Sequence, residues 1–459
     1  MNEKTNVPDT SVVTRFAPSP TGYFHAGSYR TALFSCIFAR QNKGKFTLRI
    51  EDTDKERSKK EYEENIIESL EWLGLKYDDF YRQSDRTPIY KKYIQQLISS
   101  GHAYVSKESP VEQGRSEVIR FKNPKKKVVF EDIIRGRVEF DTTELGDFVI
   151  AKSEDEPVFH LVVVIDDHDM GITHIIRGED HISNTPRQIL IYEALGFIPP
   201  KYAHIPLLLA ADRSKLSKRN GAIPVTEYRR RGFLPEAVVN YLALLGWHPA
   251  DNRELFSFDE LLEHWSLERV QKGGAIFDEE KLKWFNRQYI IKLSDEQFIE
   301  NAKAFMPEWI STTSDITKRL IPLLKDKITI FEEITNMCGP QGELGFIKEL
   351  PHYKAEMLLW KKEPDPISTV VHLKKAREAI AGLSSVSAKS SDYSVESIKA
   401  SLWPYAEKVG KGNVLWPLRV ALTGQDKSPD PFVSAFILGR EESLKRIDIA
   451  INKCQKISD

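Results

Sequence analysis

The sequence predicts a parallel α/β sheet domain that carries an α+β insertion and is followed by an all-helical C-terminal part. Three observations predict this fold class. Strand and helix patterns alternate near the N-terminus, antiparallel strand patterns interrupt them from about residue 101, and helical patterns dominate beyond Pro224. The chain of 459 residues is long enough for about three domains.

The first strand and helix open the predicted sheet. Residues 12–16 (VVTRF) form a short apolar run, and apolar side chains at helical spacing follow over 32–40. Gly44 lies just beyond them, where glycine commonly ends a helix. We therefore predict a strand, a loop and a helix in this order.

A second strand and helix follow directly. Residues 46–50 alternate apolar and polar side chains up to the motif IEDTD, which indicates a strand. Ser58 and Glu61 have the spacing of a capping box for a helix. The apolar face of that helix consists of Tyr62, Ile66, Leu70 and Leu73.

The pattern then changes and later returns. Residues 127–140 and 147–153 alternate like antiparallel strands, which predicts an insertion into the sheet domain. The run 161–165 within FHLVVVIDD is apolar on both faces and predicts a central buried strand, and 172–180 (ITHIIRGED) predicts another.

A helix is expected after these strands. Thr185 is predicted to cap it, with Pro186 at its first position and Gly196 past its end. Further along the chain, helical spacing recurs over four segments: 234–246, 259–270, 295–306 and 369–383. The Ser-rich segment 384–392 predicts a break between two helical lobes.

Composition narrows the class of protein. A net charge of −1 excludes a global field for a polyanion, so any nucleic-acid surface must be a local patch. The polar N-terminus predicts no targeting peptide, and no apolar run approaches the length of a membrane span. The three cysteines are widely separated, so we expect small buried side chains without disulfide or metal roles, in a reducing compartment.

The loop RFAPSPTGYFHAGS (15–28) joins the first strand to the first helix. Such a junction places free N–H groups at the carboxyl edge of a parallel sheet, where ligands bind. Gly22 and Gly27 permit close backbone approach, two prolines stiffen the loop, and His25 can donate to a phosphate oxygen. Taken alone, the loop is better explained as a tight turn with a structural histidine, and the other motifs reverse that preference.

A second motif, DRSKLSKRNG (212–221), supplies positive charge. Lys215, Ser217, Lys218 and Arg219 form a short cationic loop that could close over a triphosphate. Alone, this loop would be interpreted as a solvated charged turn.

Together, PSPTGYFHAGS and KLSKR resemble the HIGH and KMSKS signatures of class I aminoacyl-tRNA synthetases. The order RFAPSPTG, RIEDTD, ITHIIRGEDHISNTP, KLSKR resembles the bacterial glutamyl branch of that class more specifically. The resemblance continues through YLALLGW, FDEEKLKWFNRQYI and GKGNVLWPLRVALTG, and it covers nearly the whole chain.

The resemblance implies a two-step reaction with ATP and Mg²⁺. The α-carboxylate of L-glutamate attacks the α-phosphate of ATP, and the glutamyl group then passes to the terminal adenosine of tRNA-Glu. It also implies a Rossmann-type catalytic domain in two halves (1–100 and 158–224) around an acceptor-stem insertion (101–157). Helical stem-contact (225–310) and anticodon-binding (311–459, two lobes) domains would follow.

Site residues carry over by motif position. The resemblance assigns glutamate binding to Arg15, Ala17, Ser19, Glu51, Phe159, Val163 and Arg177, with Glu51 facing the ammonium group. It assigns ATP binding to Ser19, His25, Gly27, Asp180, Leu208, Lys215, Ser217, Lys218 and Arg219. Its catalytic residues are His25, Gly27, Lys215 and Lys218, and the two arginine forks can each bind one glutamate carboxylate.

Departures from the family pattern sharpen these expectations. Ala26 and Ser28 replace the isoleucine and last histidine of HIGH, so His25 and Gly27 must make the contact. Phe159 stands where some relatives have tyrosine and Val163 where some have asparagine, which puts a polar role there in doubt. The text AYVSKESPVEQGR has no cysteine or His pair, so we predict no structural zinc.

The basic runs PKKK (124–127) and RRR (229–231) are candidate tRNA contacts or simply solvated faces. Three rival functions remain: a short relative that glutamylates a tRNA base, a metabolic nucleotidyltransferase, and a binding protein descended from a synthetase. The helical C-terminal third speaks against the short relative, and the stem-contact motif speaks against the nucleotidyltransferase. The retained site residues speak against a binding protein that has lost its chemistry. We expect a cytoplasmic monomer that binds no membrane, and whether tRNA-Gln is also charged stays open.

Overall fold

A computed structural model of the chain describes residues 11–107, 117–216, 223–310, 315–362, 364–383 and 393–458. The chain divides into two compact units, Met1–Asn286 and Arg287–Asp459. Their boundary lies within the segment 225–310, which the sequence predicts as one domain. The division into five domain segments stays a prediction.

The strands belong to the first unit. They are β1 Val13–Phe16, β2 Lys45–Ile50, β3 Asp79–Arg82, β4 Ala103–Lys107, β5 Glu117–Phe121, β6 Lys127–Asp132, β7 Gly136–Asp141, β8 Phe148–Ser153, β9 Glu156–Pro157, β10 His174–Gly178, β11 Lys201–Ile205, β12 Leu208–Leu209 and β13 Ala275–Ile276. The helices up to the unit boundary are α1 Ala26–Gln41, α2 Lys60–Trp72, α3 Thr87–Ser99, α4 Phe159–Asp169, α5 Thr185–Leu195, α6 Val225–Arg230, α7 Pro235–Leu244, α8 Phe258–His264 and α9 Glu279–Lys292, which crosses it.

The predicted parallel sheet is confirmed in both halves. Strands β1, β2 and β3 are parallel neighbours in that order, and β10 pairs in parallel with β11. The Thr173 amide donates to the Val13 carbonyl at 2.9 Å and so joins the two halves side by side. The carboxyl ends of β1 and β10 therefore meet at one edge, where α/β sheets hold ligands.

The predicted antiparallel strands are also present. Strands β4, β5, β8 and β9 form one antiparallel sheet, and β6 and β7 form a hairpin. Strand β6 additionally pairs with β11 where Asp132 lies opposite Tyr202. The hairpin thus extends the parallel sheet and places Asp132, the last residue of β6, beside β11 and within reach of His204.

The predicted central strand over 161–165 is wrong, because this segment is helix α4. Its residues are buried on all sides, packed in a core shared with α3 and α5. A short run that is apolar on every face has no period that distinguishes a buried strand from a buried helix. The helical path also places Asp166 and Asp167, both buried, at the end of the run.

Two capping predictions are also wrong in detail. Helix α2 begins at Lys60, and no side chain caps it, since Ser58 lies in a turn closed by its amide on the Asp54 carbonyl. Thr185 is the first residue of α5, and Asn184 occupies the cap position. Gly196 ends α5 with a φ of 73°, as predicted.

The second unit is helical in its described part. Its helices are α10 Asp295–Ala302, α11 Asp315–Lys327, α12 Glu332–Met337, α13 Pro366–Ala381, α14 Val395–Val409, α15 Lys411–Thr423, α16 Pro431–Leu438 and α17 Arg440–Ser458. The four predicted helical segments overlap with α7, α8, α10 and α13, although α8 and α10 end before the predicted segments do. The predicted break at 384–392 lies outside the described residues.

Two further observations concern the whole described chain. The three cysteines are buried, as predicted, and none of them forms a disulfide in this structure. None of the helices in the described ranges is long and apolar enough to cross a membrane.

Candidate active site

A cavity of about 330 Å³ lies at the carboxyl edge of the parallel sheet. It brings together nearly all predicted site residues: Arg15, Ala17, Ser19, His25, Gly27, Glu51, Phe159, Val163, Arg177, Asp180, Leu208 and Lys215. Ser217, Lys218 and Arg219 lie outside the described residues. The structure thus joins segments almost two hundred positions apart, while the individual roles stay predictions.

One wall, which we call the Arg15 side, is built from Arg15, Arg49, Glu51 and Asp167. The Asp167 Oδ1 atom lies 3.1 Å from Arg15 Nε and 2.7 Å from Arg49 Nη1. Arg49 Nη2 also donates to Glu51 Oε1 at 2.9 Å. All four side chains are buried, so each charge on this wall is paired with an opposite one.

The pairing sets the protonation of the acids on the Arg15 side. Burial raises the pKa of Glu51 above its usual range, although the Arg49 guanidinium opposes the shift. Burial acts in the same direction on Asp167, but Arg15 and Arg49 outweigh it and hold the pKa of Asp167 below its usual range. Asp167 is therefore a fixed anion that orients Arg15.

A second part of the lining, which we call the Arg177 side, holds its cation differently. Arg177 Nη2 donates to Thr185 Oγ1 at 2.7 Å and to Gln188 Oε1 at 2.9 Å, and its Nε donates to His204 Nε2 at 3.2 Å. Among the described residues, none of these hydrogen-bond partners carries a negative charge. Burial lowers the pKa of Arg177 to about 10. Because the guanidinium is buried without a carboxylate partner, it favours the binding of an anion.

His25 and Gly27 lie where α1 begins. The His25 side chain is the N-cap of this helix, and its Nδ1 accepts from the Gly27 amide at 3.1 Å. Because Nδ1 accepts, the proton of the neutral ring resides on Nε2, which is then a donor. A Cβ on Gly27 would lie 2.9 Å from His25 Cε1, so this position needs glycine to leave the ring in place.

Asp180 and Lys215 form an ion pair beside the cavity. Lys215 Nζ lies 3.0 Å from Asp180 Oδ2. Burial would raise the pKa of Asp180, but its hydrogen bond with Lys215 holds that pKa below the usual range. The pair links the residues after β10 to the loop after β12. Leu208, on β12 itself, also lines the cavity.

Helix α4 supplies the apolar part of the lining. Phe159 and Val163 are four residues apart, so they occupy one helical face, and both line the cavity. Neither side chain offers a polar group to a ligand.

Several residues that shape the site were missed by sequence reasoning. Arg30 and His181 line the cavity. Asp167 and His204 contact its arginines, and Arg49 holds Asp167 and Glu51 in place. The one available signal was the pair of acids that ends the apolar run FHLVVVIDD. The others lie in helix or strand patterns that carry no motif of their own.

The two basic runs are paired with acids in this structure. Lys126 lies 2.6 Å from Glu193 and Lys127 lies 2.8 Å from Glu139. The three arginines of 229–231 pair with Glu68, Glu227 and Glu279. Contact with tRNA through these runs stays a prediction.

Comparison with known proteins agrees with this geometry. The model of the family described as "tRNA synthetases class I (E and Q), catalytic domain" matches residues 11–112 and 106–284. The model described as "Anticodon binding domain" matches residues 297–451. The two matches together span most of the chain.

Individual relatives agree over nearly their full length. A glutamate–tRNA ligase of Aquifex aeolicus is 42% identical, with 95% of this chain and 98% of that protein covered. One of Sulfurihydrogenibium sp. is 40% identical, with 95% and 98% covered.

A solved structure is similar as well. The crystal structure of a glutamate tRNA ligase from Elizabethkingia meningosepticum in complex with its amino acid has a TM-score of 0.85 and 34% identity, and covers 96% of this chain and 99% of that one. Sequence, domain composition and three-dimensional structure agree, so the chain belongs to the glutamate–tRNA ligase family of class I tRNA synthetases.

Proposed function

We propose that this chain is a glutamate–tRNA ligase that activates L-glutamate with ATP and transfers it to the terminal adenosine of tRNA-Glu. One observation carries the proposal: two buried arginines, Arg15 and Arg177, line the same cavity as the buried Glu51. L-Glutamate has two carboxylates and one ammonium group. The three side chains therefore match its three charges.

In the first step, an oxygen of the glutamate α-carboxylate forms a bond to the α-phosphorus of ATP. The bond from that phosphorus to the bridging oxygen breaks, and pyrophosphate leaves. The chain needs no covalent nucleophile, because positioning and charge neutralisation supply the catalysis. The arginines hold the nucleophile, while His25 Nε2 and Lys215 provide donors for the phosphate oxygens.

In the second step, the 2′-hydroxyl of the terminal adenosine attacks the activated carbonyl carbon, and AMP leaves. The match of residues 297–451 to an anticodon-binding model supports a tRNA substrate and speaks against the short base-modifying relative. We propose the basic runs 124–127 and 229–231 as contacts with its phosphates. Their acidic partners would then exchange for tRNA.

Mg²⁺ would enter with the nucleotide and shield its phosphates. The described lining of the cavity holds two carboxylates, Glu51 and Asp180, and each already pairs with a cation. Elsewhere in the described ranges, no group of three or more His, Cys, Asp or Glu side chains is arranged to hold a metal. The side chains in the described ranges therefore do not form a resident site, and no step above is assigned to the ion.

The test is aminoacylation with purified tRNA-Glu and tRNA-Gln, beside ATP–pyrophosphate exchange with and without tRNA. We expect charging of tRNA-Glu with glutamate, little with aspartate, and exchange that requires tRNA. Failure to charge tRNA-Glu would contradict the function.

Three further parts of the proposal have their own tests. Charging of tRNA-Gln decides whether the enzyme accepts a second tRNA, and sedimentation tests whether the protein is a monomer. A cytoplasmic location is part of the same proposal, and fractionation of cells tests it.

A further inference from the structure

Two buried residues stand behind Arg177 and outside the cavity lining. His204 on β11 and Asp132 at the end of β6 are both nearly inaccessible. His204 Nδ1 lies 2.6 Å from Asp132 Oδ2, and His204 Nε2 lies 3.2 Å from Arg177 Nε. The three side chains form a line from the β6–β7 hairpin to the cavity.

The hydrogen bonds of this line fix the protonation of the imidazole. Arg177 Nε can only donate, so His204 Nε2 must accept and carries no proton. The proton then resides on Nδ1 and is donated to the Asp132 carboxylate. Burial lowers the pKa of His204, and Arg177 lowers it further against the effect of Asp132, so the ring stays neutral.

Asp132 itself cannot turn. Its Oδ1 accepts from the Ile134 amide at 3.0 Å and from the Arg135 amide at 2.8 Å. Its Oδ2 accepts from the His204 amide at 3.1 Å as well as from the ring. A side chain at this position must therefore offer an acceptor to the turn and a second acceptor to His204.

We propose that Asp132 and His204 are a positioning pair that holds the Arg177 guanidinium in the orientation that binds glutamate. The inference rests on the proposed function, in which Arg177 binds a glutamate carboxylate. Asp132 belongs to the hairpin within segment 101–157. The insertion therefore takes part in the amino-acid site as well as in the contact with tRNA proposed for it.

The decisive variant is Asp132→Asn. Its amide oxygen would take the place of Oδ1, which accepts from the two turn amides and also lies 3.3 Å from the His204 backbone amide. Its NH₂ group would then face His204 Nδ1. The ring would then carry its proton on Nε2, and two donors would oppose each other at Arg177. We expect the KM for glutamate to rise about tenfold, while the KM values for ATP and tRNA-Glu change by less than about twofold.

Glu131→Gln is the matched control. It makes the same chemical change one residue away, at an exposed position on β6, and we expect it to leave all kinetic constants unchanged. A folded Asp132→Asn protein with an unchanged KM for glutamate would overturn the inference. An equal rise of all three KM values would overturn it too, because that result indicates general damage.

A second pair of variants decides the question if Asp132→Asn does not fold. His204→Gln and His204→Leu both lose the bond to Asp132, but only glutamine keeps an acceptor that can reach Arg177. We expect the KM for glutamate to be several-fold lower in His204→Gln than in His204→Leu. Equal KM values in the two variants would overturn the inference.

Arg177→Lys, measured in parallel, separates this inference from the proposed function. If that variant behaves as wild type, the glutamate site itself is wrong. If it loses affinity while Asp132→Asn does not, the site stands and the positioning pair is wrong.

Discussion

Arg15 and Arg177 are buried to nearly the same extent, with 5% and 6% of their surfaces exposed, yet their surroundings differ in charge. Arg15 contacts Asp167, which Arg49 also holds, and Arg49 pairs with Glu51. Arg177 contacts a hydroxyl, an amide and an imidazole. The Arg15 side is thus neutralised within the protein, whereas the Arg177 side holds a cation on neutral acceptors.

This difference indicates which side of the cavity contributes more to the binding of an anion. A buried cation with a fixed acid gains less from a second anion, because the first already compensates its charge. A buried cation whose hydrogen-bond partners are all neutral has no compensating negative charge, so it attracts an incoming anion more strongly. We infer that the Arg15 side supplies a rigid frame and that the Arg177 side supplies the stronger attraction for a glutamate carboxylate.

The largest expected effect contrasts stability on the two sides. Arg49→Met leaves Glu51, Asp166 and Asp167 without their shared cation, so we expect the free energy of unfolding to fall by about 3–5 kcal/mol. Arg177→Met leaves three neutral acceptors without their donor but also removes a buried, desolvated charge, and we expect a net loss of about 1 kcal/mol or less. Urea unfolding without ligands measures both variants, and equal losses would refute the comparison.

A second variant would make the Arg177 side resemble the Arg15 side. Gln188→Glu places a carboxylate on Arg177 Nη2, where it competes with the substrate. We expect the KM for glutamate to rise about 30-fold, equivalent to about 2 kcal/mol. Gln96→Glu, an exposed change on α3, is the control. Unaltered glutamate kinetics in Gln188→Glu would show that Arg177 does not supply the attraction.

The geometry of the guanidinium is tested by Arg177→Lys. Lysine keeps the charge but loses the planar fork, so we expect the KM for glutamate to rise or kcat to fall by about tenfold or more, roughly 1.4 kcal/mol. Arg187→Lys on α5 is a control, since its guanidinium donates to the Ser183 carbonyl. Steady-state aminoacylation measures both, and unchanged kinetics for Arg177→Lys would remove this residue from the site.

The smallest effect concerns pH and is specific to the Arg15 side. Because burial raises the pKa of Glu51, this acid gains a proton at a higher pH than an ordinary glutamate as pH falls. It then loses its attraction for the substrate ammonium group, and we expect kcat/KM for glutamate to fall about threefold on the acid side. Burial also lowers the pKa of His181, which lines the same cavity, to about 4.

Two variants assign that acid limb. Glu51→Gln should remove it, and Arg177→Lys should retain it at lower overall activity. Glu64→Gln, on the exposed face of α2, should behave as wild type. A limb that persists in Glu51→Gln would assign the titration to another group.

Sequence motifs predicted most of the cavity lining but little of what holds it. The loop 15–28 and the run 172–180 are recognisable because backbone geometry and ligand charge demand particular residues at fixed spacing. Helix α4 was predicted as a strand, because an all-apolar run has no distinguishing period. This wrong prediction also concealed the role of Asp167, because only a helical path brings that residue beside Arg15 and Arg49.

The sequence by itself determined the family, the alternation of strands and helices around the site, and the residue types that meet a substrate with two carboxylates. Only the tertiary structure decided which partners those residues have. Asp132 reaches Arg177 through His204 and a single pairing of β6 with β11, although the 44 residues between them in the sequence carry no signal of this contact. Local motifs record contacts with a ligand, whereas charge compensation depends on packing between distant segments, and one sequence displays no pattern for that.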